Sequence, residues 1–198
     1  MTSLYDIIKE EIAEIVKKSH AKGDPMHSLL TLKWANLLML NASEELKIAA
    51  MAHDIDRAVY PATKQRKNES YDSYKQRHAK RSADITAKLM RSIGYDEALI
   101  ETVSYLVSMH EVGEDDEHSQ LKEQADSLRD ADSIAYFEFN LDFYLERDGV
   151  LKSTKKAKYM YERASERARG YIDAMQYRLN PKAVEILRSV IMVDREKR

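Results

Sequence analysis

No cysteine occurs among the 198 residues, which excludes disulfides, thiolate metal sites and a cysteine nucleophile. Any metal must therefore be held by imidazole and carboxylate. Glycine (5) and proline (3) are scarce, so few turns are signalled and long helices are favoured. No apolar run approaches the roughly 18 residues needed to span a bilayer, and Met1 to Glu10 holds no continuous apolar segment. The chain reads as soluble and cytoplasmic, with no membrane contact. A surplus of one charge is also missing: a formal net charge of -2 argues against nucleic acid as a bulk electrostatic partner and leaves only a local basic patch open. The length suits one domain with a real core, and 43% hydrophobic residues argue against disorder.

What is present is helical periodicity. Leu4, Ile7, Ile8, Ile12 and Ile15 predict a first helix over residues 4–20 that ends near Gly23. Asp24-Pro25 offers an N-cap and an N1 proline for a second, reaching about Leu40. Ser43 can cap a third through His53-Asp54, and Pro61 marks an irregular stretch to about Ser73. A fourth helix is expected from about Tyr74 to Ser92 before Gly94, and a fifth from Asp96 to near His110. Five of the seven residues from Glu111 to Glu117 are acidic, a solvated loop before a long sixth helix from about Gln120 to Arg147. Asp148-Gly149 ends it. A continuous stripe from Ala157 to Leu179 follows, and Asn180-Pro181 starts the last helix. The expectation is an all-α, single-domain bundle over 1–198, with a core at about 24–147 and flanking helices at 4–20 and 153–194 packed on it. The C-terminal stripe could serve a homodimer as readily as a core.

Six residues stand where apolar ones belong. Leu99, Val103, Leu106 and His110 share one helical face, as do Leu121, Ala125, Leu128, Asp132, Ala135 and Phe139. His78 with Ser82, Ile85 and Leu89, and His53 with Leu46, Ala49 and Ala50, repeat the pattern, while His27 and Asp54 lie beside such stripes. An unpaired carboxylate or imidazole inside a core costs several kcal/mol in typical cases, and a shared divalent cation offsets that directly. His20 and His118 lie in polar surroundings and read as surface residues. Trp34 and the tyrosines at 159, 161, 171 and 177 read as core and helix-packing residues.

The order His27, His53-Asp54, His78, His110 and Asp132 resembles the HD-domain superfamily of metal-dependent phosphohydrolases. The stretches MHSLLTLKWANLL, AAMAHDIDR, RHAKRSADITAKLMRSIGYDEALIETVSYLVSMHE and LRDADSIAYF are similar to its successive helices, over about residues 26–137. The resemblance implies a first metal held by His27, His53, Asp54 and Asp132. It also implies that His78 and His110 serve a second ion, with Asp54 bridging, or face the substrate phosphate. Asp130 competes with Asp132 as last ligand, although the two lie about 200° apart on a helix.

From Arg57 to Arg77 there are six basic and two acidic residues, so Arg57, Lys75, Arg77 or Lys80 could bind substrate phosphate; a solvated basic loop is the plainer reading. Asp56 and Glu111 could orient ligands or carry protons, and could equally be surface carboxylates. The implied function is hydrolysis of a phosphoester of a nucleotide or other small phosphorylated metabolite by a metal-activated water, with Asp54, Asp56 and Arg57 as catalytic candidates. One or two ions of manganese, iron, nickel or magnesium would serve. The six-ligand set also resembles di-iron oxygenases of this fold, and a non-catalytic nucleotide sensor is a third reading. A (p)ppGpp hydrolase is disfavoured, because Ile55-Asp56-Arg57-Ala58 lacks the paired acids seen in that group.

Overall fold

Ser3 opens the first helix, its Oγ accepting from the Asp6 N–H at 3.1 Å. Helix α1 (Leu4–Val16) then buries Ile8 and Ile12 completely, each worth roughly 1.5–3 kcal/mol of transfer free energy. The computed structural model describes residues 2–60, 65–111, 121–175 and 179–196. Pro61, His118, Gln120, Tyr177 and most of the acidic stretch after Glu111 lie outside the described residues.

The following helices are α2 (Asp24–Leu38), α3 (Glu44–Ala52), α4 (Asp56–Val59), α5 (Tyr71–Ile93) and α6 (Glu97–Met109). Beyond them come α7 (Lys122–Ala135), a π-helical turn (Tyr136–Asn140), α8 (Leu141–Glu162), α9 (Glu166–Ala174) and α10 (Pro181–Arg195). Among the described residues there is no strand, and the protein is an all-α bundle around one hydrophobic core. Side-chain caps fix several boundaries: Ser43 accepts from Leu46 N–H at 3.1 Å, Asp96 from Leu99 N–H at 3.0 Å and Asn180 from Ala183 N–H at 3.0 Å. Gly94 closes α5 at φ 99°, a left-handed conformation that glycine adopts without steric penalty.

Helix α3 lies at the centre, packed against α2, α5, α6 and α7, with α1 laid across α3 and α5. Its Ala49, Ala50 and Ala52 are fully buried, and such small side chains let neighbouring helices come close. The C-terminal helices flank this core, α9 on α7 and α10 on α8.

Several boundaries differ from the sequence expectation, α1 among them, which stops at Val16 and not at residue 20. Gly23, not Asp24, is the N-cap of α2. The Asp24 carboxylate accepts instead from Ser19 Oγ at 2.5 Å and from Arg57 at 3.3 Å. Helix α5 begins three residues early, capped by Ser70, whose Oγ accepts from Ser73 N–H at 3.0 Å. The expected sixth helix is interrupted by the π-helical turn, while its expected end at Asp148-Gly149 is present as the non-helical Gly149 (φ 78°, ψ 172°), which divides α8 into two helical segments. The stripe expected to run from Ala157 to Leu179 breaks after Glu162, and α9 restarts from its Ser165 cap.

Candidate metal centre

The six polar residues on or beside apolar stripes arrive from five places in the bundle. His27 stands in the first turns of α2, His53 is the C-cap of α3 with Asp54 next, His78 lies within α5, His110 is the C-cap of α6 and Asp132 lies within α7. His27, His53, His78, His110 and Asp132 are all at most 5% exposed. They converge as two groups able to hold a metal ion, His27 with His53 and Asp132, and Asp54 with His78 and His110.

In the first group His27 Nε2 lies 2.9 Å from Asp132 Oδ1 and 3.3 Å from His53 Nε2, which is itself 3.8 Å from that oxygen. Asp54 stands at the junction. Its Oδ1 is 2.7 Å from His78 Nε2, while its Oδ2 is 3.5 Å from His53 Nε2 and 4.0 Å from His27 Nε2. The His53 and His110 ring centroids are 5.2 Å apart, which ties the second group to the first.

The backbone sets two tautomers. His53 Nδ1 donates to Ala50 O at 2.9 Å and His110 Nδ1 to Val107 O at 2.7 Å, so both Nε2 atoms are left to face the cluster with a lone pair. His110 Nε2 is buried without a hydrogen-bond partner. Burial pushes His53 down to about 4, only partly offset by Asp54 and Asp132, so its imidazole is neutral near pH 7. The carboxylates go the other way: burial would raise Asp54, but Arg57 and His53 hold it well below its usual value, and Arg163 and His27 do the same for buried Asp132. Neutral imidazoles offering lone pairs to ionised carboxylates are the donor chemistry of a divalent cation. The residues present fit one.

Ion pairs enclose this set. Arg57 donates to Asp54 Oδ2 at 2.5 Å and to Asp24 at 3.3 Å. Arg163, from the end of α8, donates to Asp132 Oδ2, to Glu111 Oε2 at 2.9 Å and to Ser133 Oγ at 3.0 Å. Asp56 is fully buried behind His78, 2.6 Å from its Nδ1, and accepts from Arg81 at 2.7 Å. At that distance it can orient the imidazole, and it is not among the residues that line the pocket beside the ligands. Burial lowers the His78 pKa, but the contacts with Asp54 and Asp56 outweigh it and the net shift is upward.

Asp130 is not at the centre. Its carboxylate accepts from Ser165 N–H at 2.8 Å and Ser165 Oγ at 2.5 Å, which anchors the start of α9. Of the four residues expected at a phosphate, only Arg57 lines the pocket beside the ligands. Lys75 is buried and paired with Glu111, Arg77 forms a two-pronged pair with Glu69 at 2.7 Å, and Lys80 is exposed on α5. Glu111 is a true neighbour of the centre: burial raises it, but Lys75, His110 and Arg163 hold it well below its usual value.

The sequence reading missed most of the wall opposite the ligands. Tyr136, Asn140, Tyr144, Lys156 and Met160 line the narrow pocket together with His27, Asp54, Arg57, Glu111 and Asp132. Tyr159, expected as a packing residue, donates its hydroxyl to Glu111 Oε2 at 3.1 Å. Trp34 and Tyr161 are buried as expected, whereas Tyr171 is 39% exposed and only leans on Trp34. His20 is exposed, as expected.

Fold and centre together define an all-α protein with buried histidine–aspartate groups able to hold a metal ion. The chain belongs to the family described as Domain of unknown function (DUF4202), whose sequence model matches residues 6–187. No curated protein and no solved structure matches it. Among the described residues no helix is long and apolar enough to cross a membrane.

Proposed function

We propose that the protein is a metal-dependent phosphohydrolase of the HD-domain type, acting on a phosphoester of a nucleotide or other small phosphorylated metabolite. One observation carries this reading: the six residues whose order resembles that superfamily come from five separate helical regions and meet as two adjoining, largely buried groups. A divalent cation held there supplies a Lewis acid that offsets phosphoryl charge and brings the pKa of water toward neutrality. His27, His53, Asp54 and Asp132 would hold a first ion, and His78, His110 and Asp54 a second.

The surrounding residues have defined tasks. Arg57, fixed by Asp54 and Asp24, presents its guanidinium at the pocket and donates to phosphoryl oxygens. Asp56 keeps the His78 proton on Nδ1, so that Nε2 can turn its lone pair to the cluster. Arg163 holds Asp132 by its outer oxygen and leaves Oδ1 toward His27. Met160 and the Tyr136 ring narrow the pocket and limit bulk water. Nothing in this scheme needs a protein nucleophile.

Because the second ligand group is complete, a dioxygen-using di-iron centre is the rival reading. Elemental analysis of protein purified anaerobically, followed by a phosphoester panel with manganese, iron, nickel or magnesium, separates the two. Phosphate release without oxygen supports the hydrolase, and turnover that needs oxygen with two irons per chain replaces it. Turnover retained in a metal-free His53→Ala variant would reject both.

A further inference from the structure

Three cations crowd the ring of Tyr159: Lys75 Nζ at 5.0 Å, Lys156 Nζ at 5.2 Å and the Arg163 guanidinium at 5.3 Å from its centroid. Two of them are neutralised, Lys75 by Glu111 and Arg163 by Glu111 and Asp132. Among the described residues Lys156 has no carboxylate partner. Lys156 is half-buried, and a partly desolvated ammonium without a counter-charge gains from an anion beside it.

Its position gives that anion an address. Lys156 and Tyr144 line both the narrow pocket at the metal ligands and an adjoining cavity of about 330 Å³, within the range of small-molecule sites. The cavity is also lined by Tyr71, Arg147, Asp148, Lys152 and Ser153, with Asp148 accepting from Arg147, and its two banks are the segments of α8 before and after the Gly149 kink. Along this path three buried polar atoms lack hydrogen-bond partners: the Tyr136 hydroxyl, Asn140 Oδ1 and Ser153 Oγ. The first two are delivered by the π-helical turn, a feature that recurs at functional sites. Buried hydroxyl and amide oxygens ordinarily find partners, so a ligand bearing hydroxyls would satisfy them.

We propose that Lys156 binds the substrate phosphate where pocket and cavity meet, and that the cavity takes a hydroxyl-bearing, sugar-like leaving group. This deepens the hydrolase reading and rests on it for its meaning. Its test does not depend on turnover.

Inorganic phosphate and ribose 5-phosphate are titrated calorimetrically into the full chain, with manganese and after chelation, and metal content is measured in parallel. Lys156→Met should weaken both ligands at least tenfold with metal content unchanged, and Lys156→Arg should restore them to within threefold. Ser153→Leu should weaken ribose 5-phosphate at least fivefold while leaving inorganic phosphate within twofold. If that variant melts early, Ser153→Ala, which removes only the hydroxyl, replaces it. The inference is overturned if wild type binds neither ligand, if Lys156→Met binds phosphate as wild type does, or if the Ser153 variants treat both ligands alike. Absence of metal with Lys156-dependent phosphate binding intact would sink the hydrolase reading alone. Metal binding with Lys156-independent phosphate binding would sink this inference alone.

Discussion

His27 and Asp132 line the pocket with His53 fully buried beside them, whereas of Asp54, His78 and His110 only Asp54 lines it, and the two imidazoles are buried next to Asp56 and Glu111. In the first group burial holds His53 down to about 4, so near pH 7 an arriving cation displaces no proton from it. In the second, His78 is raised through its contacts with two carboxylates, and a cation entering there must displace that proton. The two groups therefore differ in the proton a cation would meet, and Asp54 stands between them. Proximity alone would have made them look equivalent.

The harshest way to break this contrast is to remove the shared residue. Asp54→Ala should strip metal from both groups and lower phosphate release by at least ~10³-fold, read by elemental analysis and turnover. His110→Ala should instead remove one equivalent and leave the other, and loss of both in that variant would erase the distinction.

A second contrast is acid sensitivity. The folded pKa of His53 lies below the ordinary 6.5, so the unfolded chain takes up its proton first as the pH falls. The contribution is fully present above about 6.5 and is lost as the pH falls through about 4, about 3 kcal/mol over that window. His78 has the opposite sign: its stabilisation is present below 6.5 and fades as the pH rises through its raised folded value. Urea melts of chelated protein between pH 7 and 4 should therefore lose less stability in His53→Ala than in wild type. Equal losses would dismiss the burial argument.

Smaller effects refine the picture. Asp56→Asn should weaken metal at the second group by roughly 10–100-fold and leave the first within threefold, as measured by competitive metal titration. Arg77→Ala and Lys80→Ala, away from the pocket, should each leave turnover within about twofold. A large loss in either would restore a catalytic role to the basic stretch after the HD pair.

Legibility followed the range of the determining interactions. Ser43, Asp96, Gly94 and Asn180 act on neighbours three or four residues away, and their helix ends were readable at once. The candidate ligands were readable because four of them interrupt apolar stripes and the order of all six resembles a known motif. Arg163 and Lys156 were not, since their value depends on α8 docking against residues more than 40 positions earlier. The choice between Asp130 and Asp132 was open for the same reason: helical phase separates them, and only the arrival of Ser165 gives Asp130 its own task. The charges of Lys75 and Arg77 looked available because Glu111 and Glu69, which neutralise them, are distant or out of phase in sequence. The π-helical turn left no local signature at all.

His53 and His110 are not merely carried by α3 and α6; each stands at the residue where its helix stops. The carbonyl ends of two peptide-dipole stacks therefore lie close to the cluster, each worth roughly half an elementary negative charge. This field belongs to the main chain and survives any side-chain substitution. A variant stripped of several ligands should still attract small cations weakly, and only unravelling the last turns of both helices would abolish that residual pull.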